Sequence, residues 1–77
     1  MRSVYSPRYR LLMERLKRAR LEAGLTQAQV AEALGHAQSF VSKCESGERR
    51  VDVVELQMLA ELYGKPLEFF LPEKRDA

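Results

Sequence analysis

The sequence predicts an all-α domain built from five short helices. Three observations carry this. Glycines and prolines cut the chain into short pieces, most of which carry apolar residues three and four apart, the spacing of one helix face. Two of the pieces open on a capping signature, Thr26 with Gln29 and Asp52 with Glu55. No piece alternates apolar and polar residues long enough to make a strand.

The first helix is expected to start at Ser6, an N-cap residue, with Pro7 at its first helical position. Leu12, Leu16, Ala19 and Ala23 form its apolar stripe, and Gly24 ends it. The second helix follows the Thr26–Gln29 box, buries Val30, Ala31 and Leu34, and stops at Gly35, where a tight turn calls for a left-handed residue. The third runs from about Gln38 to Glu45. Val41 and Cys44 face inward and Gln38, Ser39, Ser42 and Lys43 outward, with Gly47 closing it. The fourth follows the Asp52–Glu55 box, with Val54, Leu56, Leu59, Ala60 and Leu62 as its buried side and Gly64 at its end. Pro66 opens a short fifth helix holding Leu67, Phe69 and Phe70, and Pro72 ends it. Residues 6–71 then form one domain, between a flexible stretch at 1–5 and a flexible tail at 72–77.

Bulk properties narrow the function classes. A chain of 77 residues has room for one domain with a marginal core. An apolar content of 45% is that of a globular protein, not a disordered one. A single cysteine allows no intrachain disulfide, which fits a cytoplasmic protein. No apolar run is long enough to span a membrane, and MRSVYSPRYR has no apolar stretch behind its charge, so no secretory signal is expected. The net charge of +2 is modest, but it is unevenly spread. Up to Arg20, Glu14 is the lone acid among Arg2, Arg8, Arg10, Arg15, Lys17, Arg18 and Arg20, whereas the chain from Val51 onward is acid-rich. This asymmetry suits either one face towards a polyanion or a solvated basic helix.

Helices two and three are both short and joined by only Gly35, His36 and Ala37. Such a connection sets the second helix at a steep angle, so that it projects from the body with a width that fits a DNA major groove. At this point a resemblance is plain. Arg20, the Gly-Leu-Thr-Gln of 24–27, Ala31, Leu34, Gly35, the S-x-V-S-K-x-E-x-G run from Ser39 to Gly47 and the apolar fourth helix all occur in order and at matching spacing. Over roughly residues 10 to 70 the chain resembles the phage repressor and Cro-type (xenobiotic-response-element, XRE) helix-turn-helix family. The resemblance implies a compact five-helix lambda-repressor-like DNA-binding domain and a transcriptional regulator of bacterial or phage origin.

The resemblance also implies roles for particular residues. Gln38 and Ser39 open the helix that reads bases, joined there by Ser42 and Lys43. A Gln amide can pair with adenine, and a Lys one turn on can reach guanine or a phosphate. Phe40 is open to two readings, a scaffold residue or a contact to a thymine methyl. Thr26 and Gln27 stand at the start of helix two, where free backbone N–H groups suit a phosphate; a solvated first-turn Gln27 is the alternative. Ser46, Arg49 and Arg50 lie in the loop that the family lays along the DNA backbone. Arg20 and Glu45 correspond to a family ion pair between helices one and three. Cys44 reads as a small core residue, with a redox role as the alternative.

No catalytic set is present. His36 stands alone in a turn without a partner for a metal site, and no phosphate loop or nucleophile motif occurs, so neither an enzyme nor a cofactor is expected. One recognition helix reads too few bases for selectivity, so a homodimer on a pseudo-palindromic operator is expected. Its contact is placed on Leu67, Phe69, Phe70 and Leu71 with the end of helix four. The alternative to a DNA-reading repressor or autoregulator is an antitoxin-like regulator that binds a protein partner on the same fold.

Overall fold

The computed structural model describes residues 6–71; the stretches expected to be flexible, 1–5 and 72–77, lie outside them. Among the described residues there is no strand. The elements are α1 (Pro7–Glu22), α2 (Gln27–Leu34), α3 (Gln38–Ser46), α4 (Val53–Tyr63) and a single 3-10 turn, Leu67–Phe70.

Each boundary has a local cause. The Ser6 hydroxyl accepts the Tyr9 N–H, with Pro7 next at the head of α1. Thr26 and Asp52 form full capping boxes with Gln29 and Glu55, so α2 and α4 begin with their first amides satisfied. Gly35, at φ +73°, ends α2 in the left-handed region, and this bend leaves only three residues before α3.

The expected fifth helix is one 3-10 turn. Pro66 is its N-cap, and Leu71 is already extended (φ −96°, ψ 137°), as a residue preceding proline prefers to be. Between the two prolines there is space for one turn and no more.

The core gathers Leu12, Leu16 and Ala19 of α1, Val30 and Ala31 of α2, Phe40, Val41 and Cys44 of α3, Leu56, Leu59, Ala60 and Tyr63 of α4, and Phe70. Two residues expected inside are outside. Val54 is 60% exposed because Leu56, Leu59, Ala60 and Tyr63 define the inner face and Val54 lies across the helix from them. Ala23 is exposed because α1 has ended by then and the chain is turning away. Phe40, open between a scaffold place and a DNA contact, is inside. α3 packs chiefly on α2, and α1 backs the pair.

Candidate nucleic-acid interface

α3 differs from its neighbours at its start. Its N-cap is Ala37, which provides no side-chain hydrogen bond, so the leading amides of this helix are not capped by a side chain as those of α2 and α4 are. Gln38, Ser39 and Lys43 are exposed and Ser42 is half-buried beside them. Spacings of three and four bring these four side chains onto one face of the helix. This face offers amide, hydroxyl and ammonium groups in a row about one and a half turns long.

Behind it lies a buried ion pair. Arg20 Nε donates to Glu45 Oε2 (2.7 Å) and Arg20 Nη2 to Glu45 Oε1 (3.1 Å). Arg20 Nη1 donates to the Leu25 carbonyl (3.0 Å). Both side chains are under a tenth exposed (9% and 7%). The hydrogen bonds to Glu45 raise the Arg20 pKa further above its ordinary value, against the opposing effect of burial. Gln27 Nε2 also donates to Glu45 Oε1 (3.1 Å). The Gln27 side chain, expected to face a phosphate, is thus tied inward to the last turn of α3, and Thr26 Oγ1 is engaged with the Gln29 N–H.

The loop after α3 is equally well tied. Ser46 Oγ donates to the Lys43 carbonyl (3.3 Å) and accepts from the Glu48 N–H (3.4 Å). Arg49 grips Glu55 with both ends of its fork, Nη1 to Oε1 and Nη2 to Oε2, each at 2.8 Å. Its guanidinium carbon lies 4.7 Å from the centre of the Phe40 ring. The Phe40 ring in turn stacks on His36, with centroids 4.1 Å apart and 13° between planes. Covered in this way, Phe40 is only 9% exposed and stands apart from the four outward side chains of α3. Arg50 packs over the Tyr9 ring (4.6 Å), and the Tyr9 hydroxyl accepts the Val51 N–H (2.9 Å).

With this geometry in view, the comparisons decide the family. Residues 16–70 match the family model described as helix-turn-helix. The chain belongs to the Cro/C1-type helix-turn-helix family. A solved relative, the DNA-binding domain of S. venezulae BldD, is 32% identical, with a TM-score of 0.74 over 87% of this chain and 100% of that one. No curated protein sequence gives a significant match.

In this helix-turn-helix protein the C-terminal residues divide. Phe70 is wholly buried in the chain's own core and offers nothing to a partner, because the 3-10 turn folds it back under α1 and α4. Phe69 is half-buried, with Arg18 (5.8 Å) and Lys65 (4.7 Å) against its ring. Leu67 and Leu71 are exposed. Cys44 is buried, and burial pushes its thiol pKa up despite the nearby Arg49, which favours the unreactive protonated form. Among the described residues no cluster of His, Cys, Asp or Glu could hold a metal, and no helix is long and apolar enough to cross a membrane.

Three structural residues escaped the sequence reading, and a fourth was read only in part. Arg15 Nη1 donates to the Phe69 (3.0 Å) and Leu71 (3.4 Å) carbonyls and so fastens the 3-10 turn to α1. Tyr9 fixes the loop before α4. Tyr63 is in the core, where burial raises its phenol pKa. Glu55 was read only as a cap. For Tyr63 a signal was available, since it continues the spacing of Leu56, Leu59 and Ala60.

Proposed function

We propose that this protein binds double-stranded DNA sequence-specifically, inserting α3 in the major groove, and regulates transcription as a cytoplasmic repressor or autoregulator. The observation that carries the proposal is the exposed face of Gln38, Ser39, Ser42 and Lys43 on a helix that follows a three-residue turn and begins with no side-chain cap. Amide and ammonium groups can read base edges. Uncapped helix amides suit an anion. The likeness to a structure described as a DNA-binding domain supports the same reading. Contacts to the phosphates fall to Lys43, to the uncapped start of α3, and to what Gln27, Ser46 and Arg50 present beyond their internal contacts. A homodimer on a pseudo-palindromic site completes the proposal, with Leu67 and Leu71 at its contact.

Selection from a random duplex library at near-physiological salt tests this. Low salt would retain any duplex through phosphate contacts alone. The wild type is expected to enrich a two-fold-symmetric motif, and Gln38→Ala combined with Lys43→Ala to lose or relax it. No enrichment by well-folded wild type contradicts the assignment. A second reading, a regulator that docks a protein partner, draws on the exposed Val53, Val54 and Met58 of α4, which the DNA reading does not use. Capture of a defined partner that Val54→Glu abolishes, without DNA enrichment, would favour it.

A further inference from the structure

Arg49 occupies the loop where a phosphate ligand was expected, yet its guanidinium is already committed. Both ends of the fork lie on the Glu55 carboxylate at 2.8 Å, and Nη1 also donates to the Arg50 carbonyl (3.0 Å). Its backbone N–H donates to the Lys43 carbonyl at 3.2 Å, in the last turn of α3. Glu55 Oε1 also accepts the Asp52 N–H (3.1 Å) as part of the α4 cap. On the other side, the guanidinium lies over Phe40, whose ring stacks on His36 in the α2–α3 turn. A continuous chain of contacts therefore runs from the α4 cap through Glu55, Arg49 and Phe40 to His36, two residues before Gln38. An Arg–carboxylate pair is close to neutral as a unit, so it attracts a phosphate far less than a lone cation would.

We propose that Arg49, clamped between Glu55 and Phe40, is a positioning residue that fixes α3 against α4, and so sets which bases Gln38, Ser39 and Lys43 reach. The inference rests on the DNA-binding reading above. α3 packs chiefly on α2 and α1; the clamp joins its Phe40 to the start of α4 through Arg49 and Glu55. Only arginine serves here, because lysine can neither form the two-pronged bond nor lie flat on the ring. Glu55→Gln preserves the α4 capping box, since glutamine accepts the Asp52 N–H equally well, and removes the charge that holds Arg49.

The test measures Kd for the selected operator and for a scrambled duplex across a series of salt concentrations, for Arg49→Lys, Arg49→Gln, Glu55→Gln and the double variant Arg49→Gln, Glu55→Gln. Each single variant is expected to lower the operator-to-scrambled ratio on the order of tenfold. The dependence of log K on log salt should keep its wild-type slope, and the double variant should be no worse than either single one. A phosphate ligand behaves otherwise. Arg49→Gln would then weaken both duplexes alike and reduce the salt slope by about one, Arg49→Lys would resemble wild type, and Glu55→Gln would bind more tightly. That pattern overturns the proposal, and so does an unchanged ratio in all variants. Hydrogen exchange on the free protein supplies a readout without DNA. The α3 amides from Val41 to Cys44 should exchange faster in Arg49→Lys and Glu55→Gln, while those of α1 stay at the wild-type rate. Unchanged α3 exchange also overturns the clamp. A wild type with no operator preference would instead defeat the DNA reading, and the clamp would then stand or fall on exchange alone.

Discussion

Arg20 and Glu45 show how much one residue can carry in a domain this small. Glu45 accepts from Arg20 and Gln27 with its side chain only 7% exposed. Arg20→Ala leaves that carboxylate paired only with a neutral amide and frees the Leu25 carbonyl, at a cost of about 3–5 kcal/mol. For a domain of this size that lowers Tm by more than about 12 °C, which a thermal melt would register; a melt within a few degrees of wild type contradicts it. Glu55 makes a pH-dependent contribution. The Arg49 fork holds its carboxyl below the usual carboxylate range, with burial opposing. A carboxyl with a depressed folded-state pKa stabilises the fold above its ordinary value of 4.5 and loses that contribution as pH falls through the folded value. Glu55→Gln should therefore be less stable than wild type near pH 7, with the gap closing in melts taken progressively below pH 4.5. A gap that stays constant with pH would show that the charge is not the cause. The two ion pairs also differ in legibility. Arg20–Glu45 could be anticipated because both residues sit in the family pattern. Arg49–Glu55 could not, because adjacent basic residues in a loop look the same whether they face solvent or a carboxylate. Phe40 stayed open between two readings for a related reason. Its neighbours on α3 are polar and exposed, and what covers it comes from His36 and Arg49, outside the periodicity of the helix.

At the scale of elements, glycine and capping chemistry set the frame. Gly35 makes the α2–α3 turn, and its φ of +73° lies where a side chain is strained. An added Cβ there would meet nothing within 4 Å, so the cost of Gly35→Ala is conformational and not a clash. About 1–2 kcal/mol is expected, read as a lower urea midpoint at unchanged m-value. Gly35→Asn should cost less, because asparagine tolerates this region better. Equal midpoints for the alanine variant and wild type would mean that the turn has relaxed to another conformation. Four helices were legible because each is bounded by residues whose chemistry is local: Ser6 with Pro7, the two capping boxes, and the glycines. The fifth was not, since apolar content alone cannot distinguish a helix from a single 3-10 turn; Pro66 and Pro72 decided that. Ala23 failed at an element end, where a helical stripe loses its meaning because the chain is turning away, and Val54 because it lies across the helix from the inner face.

The whole molecule raises the question of how one small body reads enough DNA. α3 has nine residues and is about 13 Å long, so it reaches only about four base pairs at 3.4 Å each. That is too short a word to single out one operator. Two copies on adjacent half-sites would need their α3 helices about 34 Å apart, one turn of DNA, a spacing comparable to the 38 × 31 × 20 Å size of the described body. The proposed dimer would double the word that α3 alone can read. With Phe70 buried, the apolar area left at the C-terminal end is Leu67 and Leu71, next to the carbonyls held by Arg15. Both side chains project from an anchored turn, so changing them should leave the fold intact, within about 0.5 kcal/mol each as for surface positions generally. The double variant Leu67→Glu, Leu71→Glu is expected to melt near the wild-type Tm and sediment as a monomer at concentrations where wild type is a dimer. It should also bind a two-half-site operator little better than a single half-site, because the second molecule no longer gains from the first. If wild type is monomeric at every concentration, alone and on DNA, there is no dimer. If the variant still dimerises, the contact lies elsewhere, and the exposed Val53, Val54 and Met58 of α4 become the surface to alter next.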